Sequence, residues 1–379
     1  MSWHKPENQQ EKLLNSVLQP ASAVYFLGTL SRLLAYEKRI LRQKKLSVPV
    51  ISVGNLSVGG TGKTPVIIDL ARSLSQTGLK VGILSRGYKR QSTQSTLVVS
   101  DGRQIIVDSA QAGDEPFLIA NAVPSAVVIV GADRYTSGKL AIEDYGCDVI
   151  LLDDGFQHLK LVRNFDLVLW DYNDNPDEMQ LLPAGRLREP VASISRADCI
   201  AITKLPDNPD PKRLSAIRTM ANKYKPGIPI IHCRFDGSGL HRVFNNEKVR
   251  VTTNGAGARV FAFCGIARPE GFTRILEAMG CVVVGKKTYP DHHWFSSADT
   301  AKLIEAFKTS EAQYLVTTEK DRVRLPEDFI EQVPILELSL STEWAGHAPI
   351  DLPGIKILLK RSRKSDKVQA KPQTAGVAQ

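Results

Sequence analysis

The stretch from Pro49 to Pro65, Pro-Val-Ile-Ser-Val-Gly-Asn-Leu-Ser-Val-Gly-Gly-Thr-Gly-Lys-Thr-Pro, constrains this chain more than any other. Val48, Val50, Ile51 and Val53 form an apolar, β-branched run that gives way to glycines and small polar residues. Val66, Ile67, Leu70 and Leu74 then recur at helical spacing. The order is strand, glycine loop, helix, which is also the order a triphosphate needs. The glycine backbone can approach phosphate closely, and the first helical turn offers unpaired N–H groups at the positive end of its dipole. Lys63 can reach the β- and γ-phosphates, and the Thr64 hydroxyl can ligate Mg2+. Pro65 is tolerated at the helix start. The phosphate-loop spacing asks for glycine five positions before Gly62, where this chain has Ser57; Gly59 and Gly60 lie inside the loop instead. Ser57, Val58, Gly59, Gly60, Thr61, Gly62, Lys63 and Thr64 are therefore the candidate ATP cradle.

Short apolar runs alternate with helical patterns downstream. Strands are expected at Lys80 to Leu84, Ala126 to Val130, Asp148 to Leu152, Phe165 to Trp170 and Asp198 to Thr203, with helices from Asp114 and from Arg134 to Tyr145. Thr96 to Val99 and Gln104 to Val107 read as a hairpin around Asp101-Gly102. Strands alternating with helices imply a parallel, doubly wound sheet. Residues 205–258 are punctuated by proline and glycine and read as a connector with β structure. Arg259 to Cys264, a helix Glu270 to Met279, Val282 to Val284, a helix near Ser297 to Phe307 and Tyr314 to Val316 begin a second, smaller α/β unit. The expected division is 1–46, an N-terminal amphipathic, membrane-associating helix; 47–204, the P-loop nucleotide-binding core; 205–258, the connector; 259–345, the smaller α/β domain; and 346–379, a terminal segment with a basic tail.

At 379 residues the chain can bury two cores. Five cysteines without a Cys-x-x-Cys pair argue for a reducing compartment and against a zinc knuckle. The net charge of +9 gathers near the two ends, at Lys38, Arg39, Arg42, Lys44 and Lys45 and again at Lys360, Arg361, Arg363, Lys364 and Lys367. Such clusters suit an anionic membrane surface or anionic substrate, and no recognised nucleic-acid motif accompanies them. The first ten residues lack the pattern of a cleaved signal peptide. From about Glu11 to Leu46 a stripe of Ala23, Phe26, Leu27, Leu30, Leu33 and Leu34 runs along a helix interrupted by Pro20, with no apolar run near the ~20 residues of a full span. Such a helix either lies on a bilayer or docks on the protein's own core.

Asp153 and Asp154 end a buried strand at the edge where open α/β sheets bind ligands; they hold a metal or bond to the turn before Gly155. Asp114, in Gly113-Asp114-Glu115-Pro116, either caps a helix or orients a hydroxyl beside the γ-phosphate. His292 and His293 in Tyr289-Pro290-Asp291-His292-His293-Trp294 are either local structure or catalytic, and adjacent histidines diverge in direction. Thr317-Thr318-Glu319-Lys320-Asp321 either reaches the nucleotide or caps a helix. Arg86, Arg134, Arg186 and Arg188 at one edge suggest a doubly anionic substrate.

Taken in order, Val53-Gly54-Asn55-Leu56-Ser57, Gly59 to Pro65, Ser85-Arg86-Gly87-Tyr88, Ala112 to Pro116, Asp153-Asp154-Gly155-Phe156-Gln157-His158 and Leu182 to Pro190 resemble the tetraacyldisaccharide 4'-kinases, the lipid-A 4'-kinases of Gram-negative bacteria. The resemblance runs to about residue 345. It implies two α/β domains joined by a β connector, with the site in the cleft, and transfer of the ATP γ-phosphate to the 4'-hydroxyl of a membrane-embedded tetraacyldisaccharide 1-phosphate, giving lipid IVA. By the same resemblance Lys63 and Thr64 bind phosphate and Mg2+, Asp153 and Asp154 serve the metal, Asp114 with His292 activate the sugar hydroxyl, and Arg134 and Glu189 are further site residues. Arg186, where the family often has proline, inherits no role. The implied location is the cytoplasmic face of the inner membrane, with peripheral or monotopic association and no obligate protein partner. A P-loop switch or metal-insertion ATPase acting with a protein partner would use the same loop and carboxylates and is the competing expectation.

Overall fold

The computed structural model describes residues 9–244, 247–252 and 257–360. Among them thirteen strands form one sheet: β1 (Val50–Asn55), β2 (Val81–Ser85), β3 (Thr96–Asp101), β4 (Val127–Gly131), β5 (Val149–Asp153), β6 (Phe165–Asp171), β7 (Cys199–Thr203), β8 (Ile230–Phe244), β9 (Glu247–Thr252), β10 (Arg259–Cys264), β11 (Val282–Thr288), β12 (Tyr314–Thr318) and β13 (Ile335–Ala345). Their order is β11-β10-β12-β13-β8-β7-β6-β1-β5-β2-β4-β3, with β9 paired to β8 off that path.

The first half is doubly wound and parallel apart from the edge strand β3. β1 is buried throughout and lies between β5 and β6. Its side chains alternate between two cores, as the period of two in a strand requires. Ile51 and Val53 meet Val66, Ile67, Leu70 and Leu74 of the helix Lys63–Gln76 on one face. Val50 meets Leu46, Ala141 and Leu161 on the other. Because β5 and β6 flank β1 on opposite sides, the connections diverge there and leave a crevice at the carboxyl ends of the strands.

The second half repeats this layering around β10. Val260, Ala262 and Cys264 join Phe272 and Leu276 of the helix Pro269–Ala278, while Phe261 and Phe263 join Leu303 and Phe329 on the opposite face. β8 carries the sheet from one half to the other, parallel to β7 at its start and antiparallel to β13 along most of its length. Sequence reading expects a strand only from Pro229 to Phe235 and none at 335–345. Leu336, Leu338 and Leu340 alternate with Glu337, Ser339 and Ser341, a half-buried strand pattern. Gln104 to Val107 is not a strand: the expected hairpin survives as the turn Asp101–Gln104 and a single bridge from Ser100 to Ile105. After β13 the chain returns to the first half, where Leu352, Ile355 and Leu359 enter the core that the phosphate-loop helix packs against. The tail beyond residue 360 lies outside the described residues.

The N-terminal helix spans Gln9–Glu37 with Pro20 inside it. It docks through polar contacts: Ser22 Oγ donates to Leu181 O (3.1 Å), Tyr25 OH donates to Arg188 O (2.9 Å) and Arg32 donates to Gln157 O (2.5 Å). From Leu18 to Glu37 none of its residues is fully buried, and Val24, Leu27 and Leu34 are exposed. Among the described residues no helix is long and apolar enough to cross a membrane. All five cysteines are buried and unpaired.

Candidate active site

The glycine loop crosses from β1 to the helix Lys63–Gln76 at the carboxyl edge of the sheet. Gly62 caps that helix with φ 85°, and a Cβ there would lie 2.3 Å from the Phe235 ring, so dihedral and space both require glycine. The loop is held from behind: Val58 N–H donates to Arg186 O (2.7 Å), and Thr203 Oγ1 donates to Thr61 O (2.8 Å). Lys204 donates to Gly60 O. Val58, Gly59, Gly60, Thr61, Gly62, Lys63 and Thr64 all line a cleft of about 2460 Å³ between the two halves of the sheet. Ser57 is not among the lining residues; it is buried, and its hydroxyl donates to Asp174 Oδ2 (3.5 Å). Lys63 Nζ donates to Asn55 Oδ1 (3.3 Å) and stands 3.7 Å from Asp154 Oδ1.

Asp153 and Asp154 sit at the end of β5 in opposite electrostatic states. Burial pushes the Asp153 carboxyl up to about 7, helped by the negative charges of Glu115 and Asp154; Ser85 Oγ donates to it at 2.9 Å. Burial also acts against Asp154, but Lys63, Arg188 and Arg134 outweigh it and hold that carboxyl below the usual range. Asp154 has φ 53°, a left-handed turn that swings its carboxylate away from its neighbour's toward Arg188 Nη1 (2.6 Å). Its Oδ1 is buried without a hydrogen-bond partner. This crowding of carboxylates fits a divalent cation, which Thr64, Asp153 and Asp154 would hold. Among the described residues no three His, Cys, Asp or Glu groups form a metal cage, so phosphate oxygens and water would supply the remaining ligands.

Asp114 and His292 come from opposite halves and meet across the cleft, His292 Nδ1 lying 2.7 Å from Asp114 Oδ2. Asp114 is the first residue of the helix Asp114–Ala122, and Gly113 rather than Asp114 occupies the cap position. Burial opposes its charge, yet His292, Lys320 and Arg324 more than compensate, and its carboxyl lies below the usual range. His292 has φ 60°, held by its N–H to Gly265 O (3.2 Å). His293 points elsewhere, to Asp299 (3.1 Å) and the Tyr289 ring.

The other expected groups are also at the cleft. Arg134 is buried, with Nη1 donating to Gly131 O (3.0 Å). Glu189 is buried against Arg196 (2.6 Å), and its Oε1 lacks a partner. Arg86 is exposed at the rim. Sequence reasoning paired Asp114 with His292 but did not find a further set of groups that joins the two halves. Arg268, after β10, reaches Asp171 Oδ2 (2.6 Å) and Asp174 Oδ1 (2.6 Å), while Lys204 shares Asp171 (2.8 Å) and Arg186 shares Asp174 (2.7 Å). Asp171 ends β6 at the same edge as Asp153 ends β5, a signal available in the sequence. Nothing in the sequence marks Arg268.

The family model described as LpxK, tetraacyldisaccharide-1-P 4'-kinase, matches residues 14–350. The chain belongs to this family. A tetraacyldisaccharide 4'-kinase of Desulfotalea psychrophila is 39% identical over 328 residues, covering 86% of this chain and 92% of the relative. One of Geobacter sulfurreducens is 37% identical over 361 residues, covering 94% and 98%. Among solved structures, "apo"-form LpxK from Aquifex aeolicus, determined in complex with ATP, superposes with a TM-score of 0.72 at 33% identity, covering 92% of this chain and 99% of that one. The family's α/β, P-loop-like fold is thus the fold of this chain.

Proposed function

We propose that this protein transfers the γ-phosphate of ATP to the 4'-hydroxyl of a tetraacyldisaccharide 1-phosphate, the step that gives lipid IVA in lipid A biosynthesis. The observation that carries the reading is the Asp114–His292 pair at 2.7 Å, facing the same cleft as the glycine loop. A phosphate cradle alone serves a switch ATPase equally well; a carboxylate–imidazole pair across the cleft from it suits a hydroxyl acceptor. Family membership does not favour the switch.

In this reading the loop amides from Gly59 to Thr64 and the Lys63 ammonium orient the phosphates, and Asp114 with His292 takes up the proton of the attacking hydroxyl. A Mg2+ ion held by Thr64, Asp153 and Asp154 would supply neutralisation of the charge that develops on the phosphates. Phosphoryl transfer proceeds through a loose transition state, so positioning and charge neutralisation carry most of the rate. Arg86, Arg134 and Arg188 line the cleft and suit the remaining phosphate of the acceptor. The exposed Val24, Leu27, Leu34, Ile40 and Leu41 would rest on the cytoplasmic face of the inner membrane, with Arg39, Arg42, Lys44 and Lys45 toward anionic headgroups. The docked helix would then keep the cleft beside the lipid acceptor.

The test is transfer of labelled γ-phosphate from ATP to tetraacyldisaccharide 1-phosphate in detergent micelles. Mg2+-dependent transfer that disappears in Lys63→Ala is the expected result. Hydrolysis of ATP with no labelled lipid would refute the reading.

A further inference from the structure

Lys320 closes the site from the second half of the molecule. It lies on the short helix Glu319–Arg322, whose N-cap Thr318 accepts from Asp321 N–H. That turn is fixed from below: Asp321 accepts from Gly265 N–H (2.9 Å) and pairs with the fully buried Arg324 (2.7 Å). From this base the Lys320 ammonium reaches across the cleft to Glu115 Oε1 (3.0 Å), meets His292 Nε2 (3.1 Å) and stands 3.7 Å from Asp291 Oδ1.

An ammonium has donors and no lone pair, while an ionised carboxylate only accepts. His292 therefore faces a pure acceptor at Nδ1 and a pure donor at Nε2. One arrangement satisfies both, with the ring neutral, its proton on Nδ1 and its lone pair on Nε2. A proton on Nε2 would point at the ammonium, and Asp291 Oδ2, at 3.9 Å, is beyond hydrogen-bond reach of that nitrogen. The charged and titratable groups around the ring are Asp114 and Glu115 on the helix Asp114–Ala122, Lys320 and Arg324 on the segment after β12, Asp291 on its own loop, and Tyr88, whose ring meets it edge-on at 5.6 Å.

We infer that Lys320 is a positioning residue that fixes His292 as the neutral, Nδ1-protonated tautomer, so that the Nδ1–H is held on the Asp114 carboxylate. The catalytic importance of this rests on the kinase reading above; the tautomer does not. The carboxylates around Lys320 raise its ionisation above the usual lysine value against the opposing effect of burial, in keeping with a constant cation. Because Lys320 and His292 lie in one half and Asp114 and Glu115 in the other, the tautomer is set only when the halves are together.

The test is nitrogen-15 NMR of histidine-labelled full-length protein, with the His292 signal assigned from His292→Gln. The parent should show a neutral ring protonated at Nδ1, and Lys320→Arg should keep it. Lys320→Met should shift the ring toward the Nε2-protonated or cationic form. In the transfer assay Lys320→Met should lose about tenfold or more in kcat, less than the roughly 100-fold or more of losing a general base outright, with KM for ATP unchanged and partial rescue in Lys320→Arg. An Nε2-protonated or cationic ring in the parent overturns the inference, whether or not Lys320→Met folds. So does a folded Lys320→Met protein with the parent's spectrum. A parent that shows the expected ring but transfers no phosphate leaves the inference standing and removes the kinase reading.

Discussion

Lys63 stands between Asn55 Oδ1 and Asp154 Oδ1, so its ammonium is aimed before it is used. Lys63→Met should therefore remove the proposed phosphate contact without removing core, and the labelled-phosphate rate should fall about 100-fold or more with an unchanged far-ultraviolet spectrum. Asp114→Asn keeps the shape of the pair but removes the acceptor charge, and a loss of about 100- to 10,000-fold in kcat is expected; a rate within a few-fold of the parent would show that the pair only holds the halves together. His158 tests a different balance. Burial, with Arg134 and Arg163 nearby, holds its imidazole down at about 4 against an unfolded value of 6.5. A depressed folded value contributes stability that is present above 6.5 and lost as the pH falls through 4. Thermal melts of His158→Gln should consequently fall less steeply than the parent's between those two pH values, and parallel curves would contradict the assignment.

The N-terminal helix has one side committed to the protein through Ser22, Tyr25 and Arg32 and another presenting Val24, Leu27 and Leu34. The two readings of its sequence, docked or membrane-facing, are thus compatible on opposite sides of one helix. Burying a leucine is worth about 1.5–3 kcal/mol, or roughly tenfold or more in partitioning per residue. Leu27→Asp with Leu34→Asp should cut co-sedimentation with anionic vesicles by about 100-fold while leaving transfer to a micellar acceptor largely intact. Undiminished sedimentation would place the attachment elsewhere. The phosphate-loop helix was legible because Val66, Ile67, Leu70 and Leu74 keep strict spacing toward a single core. β13 was harder to see because its first five residues are buried on both faces, polar Glu337 and Ser339 included, and its pairing to β8 is by backbone hydrogen bonds, which composition does not record.

At the scale of the molecule, the contacts that span the cleft include Asp114–His292 with Glu115–Lys320 and Arg268 with Asp171 and Asp174. Asp171 is fully buried, so removing Arg268 leaves its charge with Lys204 as the remaining cation in contact. Arg268→Ala should destabilise the closed arrangement by about 2 kcal/mol or more. The expected readouts are a larger radius of gyration by small-angle scattering and a raised KM for ATP; an unchanged radius would show that the sheet through β8 and β13 suffices to hold the halves.

Local chemistry in the sequence determined the cradle, the strand-end carboxylates and the parallel core, because a glycine loop between a β-branched run and a helical stripe has few folded outcomes. It also supplied the membership of the site through ordered short motifs. Beyond the Asp114–His292 pair, which the resemblance already implied, partnership across the cleft was decided only by the tertiary structure. That Lys320 meets His292 and Glu115, that Ser57 faces Asp174 rather than the cleft, and that Arg268 closes on two aspartates all depend on how two separately packed cores are set side by side. The physical reason is that side-chain ionisation and hydrogen bonding respond to neighbours within a few ångströms, and Lys320 and Glu115, for example, are 205 residues apart in the chain.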